Sequence, residues 1–155
     1  MTDRDRKQRL ARVRDAQEQG ARGTWATAEA RAQDARERAN RLEDTLTRAR
    51  AELDALLRAR ALSDSERQSY ETPLEVIQGH LEVARAEVEV RLREAAVEQG
   101  AWSERRREKR AADRLAERAV DRERSEAAAA EERQAEDQEA ERQRWRRGAG
   151  GDLSA

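Results

Sequence analysis

This sequence predicts an all-α fold: a long two-helix antiparallel coiled-coil hairpin whose second helix overhangs the first. Three observations carry that expectation. Of 155 residues, 43% are charged and 3% aromatic, too polar for the thick core that would offset the ordering entropy of a globular domain. Apolar residues nevertheless recur in steps of three and four over most of the chain, a pattern that disorder does not produce. The only proline lies in the one strong break, Leu62 to Pro73.

That break contains two helix-start signals, Ser63 with Glu66 and Thr72 with Glu75. Each has the capping-box spacing, and the second is followed by Pro73, whose missing N–H costs nothing at a first helical position. The Thr72 signal predicts helix 1 over about 4–62, a turn over 63–72 and helix 2 over about 73–147. Use of Ser63 would instead start helix 2 at Asp64 with a proline kink. Gly148-Ala-Gly-Gly151 ends the pattern, and 148–155 reads as a loose, disordered tail.

In helix 1 the seam is clearest at Leu42, Leu46, Ala49, Leu53 and Leu56, and it continues backward through Ala39, Ala35, Ala32, Ala28, Trp25 and Ala21. To meet Val13 and Leu10 it needs two successive steps of four through Gln17, a stutter that locally unwinds a supercoil. Gly20 and Gly23 fall there and mark a soft spot through which the helix is expected to run, a break being the alternative. Helix 2 carries a matching seam at Leu74, Ile77, Leu81, Ala84, Val88, Leu92, Ala95, Gln99 and Trp102, with an alanine-rich continuation through Leu115. Val76, Val83, Val90 and Val97 form a second heptad series, about 160° around the helix from the first at 100° per residue. One hairpin core cannot cover both. A corner centred near Arg67 would pair residue i with about 135 − i and leave residues past about 131 as a single helix.

The residues offer little for catalysis. There is no cysteine and one histidine, His80, so no triad, thiolate or metal cluster can be assembled, and no glycine-rich phosphate loop occurs. No enzyme activity, cofactor or metal is expected. A net charge of −1 argues against nucleic acid as the main partner. The run from Arg105 to Arg110 reads first as a solvated helix face, with an acidic partner or nucleic acid as the sharper alternative. No segment reads as a membrane span or secretory signal, so the expected location is cytoplasmic, with membrane association only through partners. Trp25 and Trp102 fall on seams and predict packing, whereas Trp145 stands between arginines in the overhang, as a partner anchor would.

Several stretches together resemble the FliJ family, coiled-coil proteins of the bacterial flagellar type III export apparatus. They are Arg9-Leu-Ala-Arg-Val-Arg-Asp-Ala-Gln17, Tyr70 followed by Leu74 and Ile77, Trp102-Ser-Glu-Arg-Arg106, and Gln134-Ala-Glu-Asp-Gln-Glu139. The likeness covers nearly the whole chain and rests on motif order. Pro73 departs from the family pattern, as does the reduction of the turn aromatics to Tyr70. The resemblance implies a non-enzymatic central stalk that assembles or activates a hexameric export ATPase and couples it to the export gate protein FlhA. Export chaperones are implied as further partners, at the membrane beneath the flagellum. It places the ATPase-ring end at Arg133, Gln134, Glu136, Glu139, Arg142 and Trp145, and the gate end at Leu42, Leu74, Val76, Ile77 and Val83. The stalk of a virulence secretion system and a generic coiled-coil scaffold are the rival readings.

Overall fold

The computed structural model describes residues 1–151. Its two helices, α1 (Asp3–Ala59) and α2 (Asp64–Gly151), pack against each other as an antiparallel hairpin. They build two compact units, one from 17–106 and the other from 1–16 with 107 onward.

Both helices start on side-chain caps. Thr2 Oγ1 accepts the Asp5 N–H at 3.1 Å while the Thr2 N–H donates to Asp5 Oδ2 at 3.0 Å, a reciprocal box that satisfies orphan donors of the first turn. At the corner, Ser63 Oγ accepts the Glu66 N–H at 3.2 Å, and the Ser63 carbonyl accepts the Arg67 N–H at 2.9 Å. The Thr72 signal is not used. Its hydroxyl donates to the Gln68 carbonyl at 2.9 Å inside α2.

The expected start at Pro73 is therefore corrected to Asp64, and the turn shrinks to 60–63. The physical reason is a balance between one lost bond and a longer ladder. Starting at Ser63 adds more than two turns of helix, whereas Pro73 withholds a single N–H from the Ser69 carbonyl. An Arg60–Glu66 ion pair at 3.1 Å closes the corner.

Moving the corner shifts the register. In the larger unit Arg38 meets Glu87 at 3.2 Å, Glu43 meets Arg85 at 3.5 Å and Arg50 donates to Gln78 at 3.2 Å. In the other unit Arg4 meets Glu123 at 3.5 Å. Residue i thus faces roughly 125 − i, about ten residues from the expected pairing, or near three helical turns. The overhang accordingly begins soon after Glu123, not at 131, and residues 121–151 are exposed throughout. α2 also continues past Arg147 to Gly151. None of the described glycines has a positive φ, so Gly148 does not form the left-handed cap that would stop the helix. Asp152 to Ala155, the rest of the expected tail, lie outside the described residues.

The seams differ from expectation in an instructive way. Between Glu18 and Leu56, the positions turned inward on α1 are Glu18, Ala21, Trp25, Ala28, Ala32, Ala35, Ala39, Leu42, Leu46, Ala49, Leu53 and Leu56, in strict alternation of three and four. On α2 between Leu74 and Trp102, Leu81 is 2% exposed, Ala95 is buried, and Arg91 and Glu98 occupy the steps expected of Leu92 and Gln99. In the other unit, Lys7, Ala11 and Arg14 continue the α1 steps, and Lys109, Ala112, Ala116 and Ala119 those of α2. Val13, Leu10, Leu92 and Leu115, all expected on a seam, fall off the heptad steps and are 37–48% exposed. Neither predicted stutter is present. An unbroken heptad keeps the same stripe facing the partner helix, and long polar side chains at its steps reach the edge.

α1 runs through Gly20 and Gly23 without a break. A Cβ at either position would meet nothing within 4 Å, and the hydroxyls of Thr24 and Thr27 donate to the two glycine carbonyls at 3.1 Å. Gly20→Ala and Gly23→Ala should each stabilise the chain by about 0.5–1 kcal/mol, read as a higher urea midpoint with unchanged slope.

The N-terminal box also sets a pH limit. Hydrogen bonds from the Thr2 backbone and side chain hold the Asp5 carboxyl below its ordinary value of 3.8. A depressed carboxyl contributes stability above its unfolded pKa and loses it as pH falls through the lower folded value. Amide protection of the first turn should therefore persist from neutral pH down to about 3.8 and be lost below it, as hydrogen exchange would report.

Candidate interaction surfaces

Three places concentrate unusual chemistry. The first is built around Trp102. Its indole stacks on Trp25 with centroids 4.9 Å apart and planes at 21°, and Nε1 donates to Glu18 Oε1 at 2.8 Å. Arg106, one turn on, lies over the same ring at 5.3 Å, within cation–π range. Trp102 thus bridges two α1 residues seven apart on the same stripe, Glu18 and Trp25. Glu18 is 8% exposed and is the one charged residue among the buried residues described. Burying a carboxylate is costly without a donor, and the indole N–H supplies one.

Sequence reasoning placed both tryptophans in the core and missed Glu18, having followed the apolar letters to Val13 and Leu10. The strict heptad spacing from Ala21 and Trp25 was the signal that could have found it.

Much of the basic run near Trp102 is engaged within the hairpin. Arg105 donates to Gln17 at 3.3 Å, Lys109 meets Asp15 at 2.9 Å, and Arg14 meets Glu108 at 2.9 Å. These half-exposed pairs contribute little stability individually, but they favour one pairing over its neighbours. The solvated-face reading is thereby refined, since part of the run serves as cross-helix ties.

The second place is the overhang. Trp145 is 76% exposed and lies along a helix face with Gln138, Glu141, Arg142 and Arg146. Arg142 pairs with Glu139 at 3.7 Å. The six residues assigned to a ring end are all exposed but do not share a face. At 100° per residue Gln134, Arg142 and Trp145 fall on one side, Arg133 and Glu136 on the other.

The third place is the outer face of α2 in the larger unit. The residues assigned to a gate end separate here. Leu42, Leu74 and Ile77 are half-buried at the hairpin seam, whereas Val76 and Val83 are open to solvent on the opposite side. His80 is exposed beside them.

Among the described residues no group of His, Cys, Asp or Glu is placed to hold a metal ion, and no helix is long and apolar enough to cross a membrane. Comparison with family models, curated proteins and solved structures gives no match.

Proposed function

We propose that this chain is a non-enzymatic stalk of the flagellar export apparatus, similar to FliJ, that assembles or activates a hexameric export ATPase and couples it to the gate protein FlhA. The single observation that carries the proposal is the overhang: α2 continues well past the last cross-helix pair as one solvated helix, and presents an exposed tryptophan among arginines near its end. Such a residue contributes strongly to affinity once a partner buries it. The order of sequence motifs supplies the family, and Val76 and Val83 supply an open apolar patch for the gate.

The test is the turnover of a hexameric export ATPase with and without this protein. Full-length chain should raise ATP hydrolysis, and a version truncated after Ala130 should not. Equal stimulation by both would remove the overhang from the mechanism. No response of a flagellar ATPase to either, with a response from a virulence-system ATPase, would reassign the family.

A further inference from the structure

We propose that the outer face of α2 binds an amphipathic helix of another protein, one with an apolar heptad seam flanked by lysine or arginine. Val76, Val83, Val90 and Val97 are 53, 70, 47 and 69% exposed. They recur every seven residues on the side of α2 turned away from the hairpin seam. The alternate steps of the same heptad are Gly79, Ala86, Arg93 and Gly100, all exposed. The two glycines would have open space around a Cβ. A β-branched residue alternating with a small one is the pattern of a coiled-coil seam that another helix can approach closely. Arg93 is the one interruption, and its guanidinium reaches back to Glu89 at 3.5 Å. α2 therefore carries two seams in register, of which α1 covers one.

Charge selects the occupant. The positions flanking the valine seam are Glu75, Glu82, Glu89 and Ala96 on one side, and His80, Glu87, Glu94 and Ala101 on the other, so the acidic edges run along its first three heptads. Flanking charges of coiled coils set partner choice. Two copies of this chain joined along the valines would bring these glutamates against each other. A basic-flanked helix instead meets complementary charge along both edges. Glu87 and Glu94 already neighbour Arg91, Glu87 also meets Arg38, and Glu89 meets Arg93, so Glu75 and Glu82 are the stronger selectors. The inference stands apart from the stalk reading, although the two share Val76 and Val83.

Two synthetic helical peptides of about four heptads, identical in their Leu/Ile seam and carrying either Lys/Arg or Glu at the flanking positions, serve as probes of the full chain by fluorescence anisotropy. The basic peptide should bind, and weaken as salt rises. The acidic peptide should not bind. Val83→Asp with Val90→Asp should weaken the basic peptide by about tenfold or more, with unchanged helix content because both sites are solvent-facing. Glu75→Lys with Glu82→Lys should shift preference toward the acidic peptide. Failure of the basic peptide to bind, equal binding of both peptides, or sedimentation showing a dimer that the valine substitutions dissolve would each overturn the proposal. None of these results depends on the ATPase assay.

Discussion

Trp102→Ala is expected to lower stability by about 3–5 kcal/mol, the largest loss of any single substitution considered. The indole is stacked on Trp25, carries Arg106 on its ring and donates to a buried carboxylate. Truncation removes the packing and leaves Glu18 without its donor, and the second effect can be separated from the first. Trp102→Phe keeps an aromatic ring against Trp25 but has no N–H, so it should cost about 1–3 kcal/mol, the ordinary penalty for a buried group left unpaired. Adding Glu18→Leu to Trp102→Phe should recover part of that loss, because the orphaned carboxylate is gone. Urea unfolding of the wild-type chain, Trp102→Phe, Glu18→Leu and the double variant decides it. Additive losses in the double variant would mean that the indole and the carboxylate do not act as a pair.

Pro73→Ala is expected to stabilise the chain by up to about 3 kcal/mol, the difference between proline and alanine in a helix interior. Pro73 stands ten residues into α2 and leaves the Ser69 carbonyl without its usual donor. The site is solvent-exposed, so water takes up part of that deficit and the figure is an upper bound. Alanine restores the bond without a steric demand. Thermal unfolding should show a higher midpoint for the variant. A lower midpoint would mean that Pro73 itself is needed to seat Leu74 and Ile77 against α1.

These two residues also show what could be read before folding. Hairpin, corner and paired seams followed from periodicity and caps, because a helix with one apolar stripe must cover it. The choice between Ser63 and Thr72 did not follow. Both spacings are sound locally, and only the ladder gained between Asp64 and Pro73 separates them. That choice displaced the register by about ten residues and, with it, the start of the overhang. The inward positions of the Glu18 region were hidden for another reason. Apolar letters at Leu10 and Val13 pulled the reading into a stutter, while geometry kept the heptad and filled it with Glu18 and Arg14, each satisfied from α2. The valine series was visible as a second stripe, and the structure added its exposure. The partner-binding residues were drawn by resemblance, which orders motifs along a chain but does not sort them by helix face. For that reason Leu42, Leu74 and Ile77 were grouped with Val76 and Val83, from which the fold separates them.

The register ties these results together, and paired spin labels test it directly. Labels at Arg38→Cys and Glu87→Cys, in a chain with no native cysteine, should give a short intramolecular distance that survives dilution with unlabelled protein. Labels at Arg38→Cys and Val97→Cys should be farther apart, because position 97 lies ten residues along α2, about 15 Å of rise. A shorter distance for 38–97 than for 38–87, or a 38–87 signal that disappears on dilution, would contradict the hairpin register described here.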